Sequence, residues 1–357
     1  MKVCVLMLPV LLLIGCVAKP ARPPLAPEIR EVNIGLTDGY RAFVVAEGLK
    51  NPSHVSFHPD GRLTICDSGN GRVVVLDDGE LTPVLENMQT EYWKVYTNDE
   101  GEEVKAFKIG PLAAEWLSMY KLVVTDGGQK DGEETVITYH VSSDGPSSNR
   151  LLSQTNSVPP TTDDPADLGE GNLSGLCIMP DGDTYYVCGQ GFDGKTWVLG
   201  GSLSEGTLEP MFSADEHKID VNSPMQVVPW RDNLLVIYSG TGGEADGLIV
   251  EWNPKSGQPV NQWDTKLTDP MSIAQVPGTS NQFVVTVNNW DLTRVNPGKL
   301  AILTLGEDTL TTQVICDRIL GPVHCAFGPD GRLYVTCLGG KFDENQGQVI
   351  AITGFPR

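Results

Sequence analysis

The sequence predicts an all-β fold, a six-bladed β-propeller closed by an N-terminal strand that completes the last blade. Three observations carry that expectation. A three-strand meander recurs six times, a Pro-Asp-Gly turn punctuates three of the copies at matching positions, and one spare strand before the first copy answers a strand missing after the last. A meander of this size cannot bury both faces alone, so copies must stack. Units of this kind at a spacing of roughly 50 residues form propellers.

The unit is clearest at residues 52–77. Residues 54–57 are an apolar run, Pro59, Asp60 and Gly61 form a tight turn, and residues 62–66 are a second run. Residues 67–71 make another turn before the β-branched stretch 72–76. Copies begin near residues 52, 111, 173, 224, 270 and 322, and the turn returns as Pro180-Asp181-Gly182 and Pro329-Asp330-Gly331. The last copy ends at residues 349–353 with no room for a fourth strand, whereas residues 41–46 are strand-like and unassigned. Pairing the two closes the ring and removes its open edges.

Two segments break the period. Residues 86–108 read as an inserted hairpin turning at Asn98-Asp99-Glu100-Gly101, and residues 142–171 are Ser/Pro/Asp-rich around a short strand, with a loop tail at 158–169. Both precede a first strand, so both project from the face where first strands begin. Insertions of that length in a compact fold mark a working surface.

The chain carries 46 acidic against 25 basic residues, a net charge of −21. Nucleic acid and anionic membrane surfaces need a basic footprint and are therefore excluded as partners. Cations, cationic ligands or plain solubility fit that charge. Residues 1–15 read as a signal peptide, with an apolar stretch too short to span a bilayer. Leu13-Ile14-Gly15-Cys16 resembles a bacterial lipobox, which implies cleavage before Cys16 and lipidation of its thiol. Residues 16–40 are then a Pro-rich, extended tether, and residues 41–357 the propeller. The protein is expected at the periplasmic face or the cell surface, with Val17 sorting it to the outer membrane where there are two membranes, and as a monomer. Six cysteines remain, Cys66, Cys177, Cys188, Cys316, Cys325 and Cys337. Cys177 with Cys188, and Cys325 with Cys337, lie on successive strands and can pair, and buried free thiols are equally ordinary there.

The repeat pattern x-P-x-x-V-x-F-x-P-D-G-x-L, strongest in copies one and six, resembles the NHL and senescence-marker-protein/gluconolactonase group of six-bladed propellers over residues 41–353. That resemblance implies two rings around a central channel. The first comprises His54, Ala113, Gly175, Gln226, Ser272 and His324. The second comprises Asp67, Asp126, Cys188, Tyr238, Asn288 and Cys337. The gluconolactonase-like enzymes begin their metal site with a Glu before Gly-Pro, and the equivalent stretch here is Gly48-Leu49-Lys50-Asn51-Pro52. Glu170-Gly171-Asn172 holds a similar motif in a different copy.

His54 and His324 become neighbours on closure, where two imidazoles can act as a catalytic base, bind a transition metal or simply hydrogen-bond the backbone. Asp67 and Asp126, with Asn288, offer oxygen ligands for calcium or another divalent cation, or cap local turns. Gln226, Tyr238, Ser272, Asn288 and Trp290 are the expected ligand-binding set. The loops at 240–247, 289–298 and 339–347 carry Glu244, Asp246, Asp291, Asp343 and Glu344 beside Trp290 and Phe342, which suits a sugar or a cationic ligand. The leading expectation is a binding or scaffold module presenting its channel mouth to a small-molecule, carbohydrate or protein ligand. The alternative is a metal-dependent hydrolase or lyase on the same face.

Overall fold

The computed structural model describes residues 26–98, 100–130, 133–141, 151–157, 171–190, 196–291 and 294–356. Among these residues the strands pair antiparallel in six large sheets and one hairpin. Sheets one to five span residues 52–85, 111–157, 171–213, 224–264 and 270–320, each with four strands in sequence order. Sheet six joins residues 322–353 to Arg41–Leu49 and Arg30–Val32. The first strands of the sheets are Pro52–Phe57, Pro111–Ser118, Gly171–Ile178, Pro224–Trp230, Pro270–Gln275 and Pro322–Phe327. Each packs against the next, and the last packs against the first. The fold is a β-propeller.

The core is divided into wedges rather than gathered at the centre. Val123 and Val136 of sheet two pack with Tyr185, Val187 and Leu199 of sheet three, for example, and Ile237 of sheet four with Ile273 and Val285 of sheet five. Strands buried on both faces show no alternation of burial, so every residue of Leu63–Asp67 and Leu333–Cys337 is buried, Thr64 and Thr336 included.

Every first strand has a register shift within a few residues of its start. Pro52 pairs with Asp67 but His54 with Cys66, and Pro224 pairs with Tyr238 but Gln226 with Ile237. Such a bulge adds one residue to one strand and re-aims the next side chain. Proline tolerates the position because it has no ladder N–H to give. The device is what turns His54, Gln226 and His324 toward the axis.

One expectation needs correction. The tether expected to run free to residue 40 is docked from residue 26 onward. Arg332 donates to the Ala26 carbonyl at 2.9 Å, Arg30–Val32 adds a strand beyond Arg41–Leu49, and Ile34 is buried between sheets five and six. Of the two readings open for the six cysteines of the propeller, the structure has the buried free thiol for all of them; Cys177 and Cys188, like Cys325 and Cys337, pack as small apolar groups. The hairpin expected within 86–108 consists of Glu91–Thr97 and Glu103–Ile109, and the loop expected at 158–169 lies outside the described residues.

Candidate functional site

A cavity of about 530 Å³ opens where the first strands begin. Its floor is the layer set by the bulges. His54 and His324 stack with ring centroids 3.9 Å apart. Gln226 reaches across the axis, its Oε1 accepting the Ile273 N–H at 2.7 Å and its Nε2 lying 3.0 Å from His324 Nε2. His324 Nδ1 faces the Val55 N–H at 3.3 Å. Two N–H groups are thus aimed at a ring that has one lone pair when neutral. Neither nitrogen is open to a ligand. Burial, and then the neighbouring His54, push the His324 pKa well below its ordinary value. Gly175 completes the floor at φ +59°, where a Cβ would come within 2.5 Å of the Gln226 Cα.

The roof comes from the inserted hairpin and two loops. Phe107 of the hairpin makes edge contacts with Trp290 and Phe342, with centroids at 5.0 and 5.5 Å, and Trp93 packs on Trp290 at 5.7 Å. Asp343 pins the hairpin base. Its carboxylate accepts the N–H groups of Phe107 (3.0 Å) and Lys108 (2.7 Å) and the Asn51 amide (2.8 Å). Asp269, buried, accepts the Trp290 N–H at 2.7 Å and the Gly243 N–H, so it fixes Trp290 in place.

Backbone strain collects at this rim. Asn51, Phe107, Asn172, Ser223 and Asp269 line the cavity with φ between 45° and 61°, and Asn289 and Asp343 beside the roof have 63° and 60°. Asn and Asp tolerate that region, whereas Phe107 and Ser223 are strained more steeply, on the order of 1–3 kcal/mol each.

The other predicted residues lie elsewhere. Second strands run behind the first, away from the axis, so their ends pack between sheets. Asp67 is fully buried, and its carboxylate accepts the Lys50 N–H (2.6 Å), the Asn70 amide (2.9 Å) and Arg72 Nε (2.6 Å). Asp126 caps its own turn through the Gly128 N–H. Neither faces the cavity, and among the described residues no three His, Cys, Asp or Glu side chains converge as metal ligands. Tyr238, Cys188 and Cys337 are core, Asn288 donates to the Pro322 carbonyl, and Ser272 accepts the Cys325 N–H. Of the expected ligand set, Trp290 lines the cavity and Gln226 closes it from below.

The sequence reading missed Glu115. Alternate residues of a first strand face the axis, so the layer beneath His54, Gln226 and His324 contains Glu115 and Cys177. His54 Nε2 is buried without a hydrogen bond and points at Glu115 Oε1, 3.8 Å away. About a third of the Glu115 side chain is accessible, through a second cavity that it lines. Burial pushes its carboxyl up to about 8 and lowers His54 to about 3. At neutral pH the proton therefore sits on Glu115 and both histidines are neutral. The sign follows: because folding raises this acid's pKa, its contribution is most favourable below the unfolded value of 4.5 and is lost as pH rises toward about 8.

No known protein-family profile matches the chain, and no curated protein sequence matches it. Solved structures do. A Thermus thermophilus protein described as a putative oxidoreductase (glucose dehydrogenase) shares 16% identity over 88% of this chain and 100% of its own, with a TM-score of 0.59. The PQQ domain of pyranose dehydrogenase from Coprinopsis cinerea gives 11%, 92%, 99% and 0.57 for the same measures. The PQQ-bound aldose sugar dehydrogenase of Streptomyces coelicolor gives 14%, 89%, 100% and 0.55. Likeness at these identities is likeness of fold, and it places the chain among β-propellers.

Proposed function

We propose that this chain is an exported, lipid-anchored binding protein that holds a neutral, hydroxyl-rich small molecule, a carbohydrate, between the aromatic roof and the His54–Gln226–His324 floor. The observation that carries the reading is the gathering of left-handed, strained backbone around one aromatic-roofed cavity. Strain concentrates where a surface is built to clamp a ligand. The six sheets are read as six blades of the NHL and gluconolactonase-like kind, closed by Arg41–Leu49; the cyclic packing of first strands supports this.

The lining selects the ligand class. Trp93, Phe107 and Trp290 offer apolar faces for the C–H side of a sugar ring, while Ser53, Asn172, Ser174, Asn222 and Thr241 offer hydroxyls and amides. Among the described residues no Lys or Arg lines the cavity, and Asp269 does. PQQ, which is named for two of the similar structures and bears three carboxylates, does not fit such a lining. A metal-dependent hydrolase or lyase is disfavoured because Asp67 and His324 already commit their ligating atoms to the protein, and Asp126 caps its own turn away from the cavity.

Titration with neutral mono- and oligosaccharides, followed by tryptophan fluorescence, tests the reading. Saturable binding is expected, weakened at least tenfold, about 1.4 kcal/mol, in Trp290→Ala. Binding of charged ligands alone, or a sugar affinity indifferent to Trp290, would overturn it. The anchor has its own check: Cys16→Ser should abolish incorporation of a fatty-acid label and release the protein from membranes, and an unchanged membrane fraction would refute lipidation.

A further inference from the structure

A second cavity, of about 400 Å³, opens at the other end of the channel, where the first strands finish. It is separate from the roofed cavity: the His54–Gln226–His324 layer lies between them. Its lining is mixed: Leu117, Leu176, Ile178, Met179 and Val228 supply an apolar side, and Gln226 and the carboxyl group of Glu115 are among its polar groups. Its polar end is unbalanced. Glu115 meets no Lys or Arg among the described residues, and the group it does meet, His54 Nε2, is a buried nitrogen that no hydrogen bond satisfies. The thiol of Cys177 beside it, pushed up to about 12 by burial and then by Glu115, stays protonated and supplies no charge.

We propose that this lower cavity is a binding site for an organic ammonium ion with an apolar tail, its cation paired with Glu115 and its tail against the Leu, Ile, Met and Val walls. A cavity with one carboxyl group beside an apolar side has a complement of that shape: a positive end that donates hydrogen bonds and a short apolar remainder. Without a counter-ion Glu115 keeps its proton, and a ligand that brings its own cation lets the carboxylate form as that proton leaves. The net charge of −21 draws cations toward the molecule. Inorganic divalent ions are poorly served, since among the described residues no three ligating side chains converge there. This site stands independently of the sugar reading.

The groups that face Glu115 are His54, Cys66 and Cys177, and with the histidine and both thiols neutral they leave its proton as the one exchanged near pH 7. Calorimetric titration of the purified full chain with n-butylammonium chloride, with n-butanol as the uncharged control, tests the proposal. The ammonium ion is expected to bind and the alcohol to bind at least tenfold more weakly. In two buffers of different ionisation heat, about one proton should be released per amine bound at pH 7. Glu115→Gln should weaken the amine at least tenfold while leaving Trp290-dependent sugar binding intact. That variant should also lose less stability than wild type between pH 5 and pH 8.5, which reports that it is folded. No amine binding by wild type, binding without proton release, equal binding by Glu115→Gln, or preferential binding of calcium or zinc at this site would each overturn the proposal.

Discussion

Val45→Asp is expected to lower the unfolding free energy by about 4 kcal/mol or more, enough to leave little folded protein at moderate temperature. Val45 lies in Arg41–Leu49, is fully buried, and sits in the wedge between sheets six and one with Val55, Ile65 and Val349. A carboxylate there finds no partner and no water. The strand it would disrupt is the one that pairs with Gly347–Thr353. Losing it exposes the edge of the last sheet, and the wedge opens from both ends of the chain at once. Urea denaturation compares it with Val314→Asp, a change on an exposed strand position, which should shift stability by less than about 0.5 kcal/mol. If the two variants proved equally stable, Arg41–Leu49 would be an accessory to the fold, not its clasp.

The second large effect is expected at the roof. Asp343→Ala removes an acceptor that three N–H groups share, leaving those of Phe107 and Lys108 to find water at the hairpin base. It also places alanine at φ 60°, which asparagine tolerates better. A loss of about 2 kcal/mol in stability is expected. The larger consequence falls on the ligand: with Phe107 released, the edge contacts that hold Trp290 and Phe342 loosen, and sugar affinity should drop tenfold to a hundredfold. Asp343→Asn should fall between alanine and wild type. Fluorescence titration together with thermal melting separates the two effects. Full affinity in a destabilised Asp343→Ala would show that the roof does not need its pin.

The ring is legible in the sequence because its turns are chemically repetitive. In Pro59-Asp60-Gly61 the Asp60 carboxylate accepts the Arg62 N–H, and in Pro329-Asp330-Gly331 Asp330 does the same for Arg332. One local bond, repeated, marks the end of one strand and the start of the next. The adjacency of His54 and His324 follows from closure alone. Glu115 escapes a reading that takes only the first inward position of each strand, although a period of two places a second inward residue two positions on. Asp67 and Asp126 mislead for the opposite reason: a carboxylate at a strand end looks the same in sequence whether it waits for a metal or holds its own turn. The pairing of Asn51 with Asp343 spans almost the whole chain and leaves no local trace.

With the proposed lipid on Cys16, the docked N-terminal segment would set which way the molecule points. Ala26 and Pro27 meet Arg62, Asp77 and Arg332 at the rim where the first strands end, the face opposite the aromatic mouth. An acyl chain on Cys16 would be joined to that rim by about ten residues, a leash of at most ~35 Å. Tension along it would hold the roofed cavity toward the medium and keep the lower opening in the thin layer above the lipid headgroups. The two pockets would then sample different solutions, one the open milieu and the other the crowded, charged boundary of the membrane.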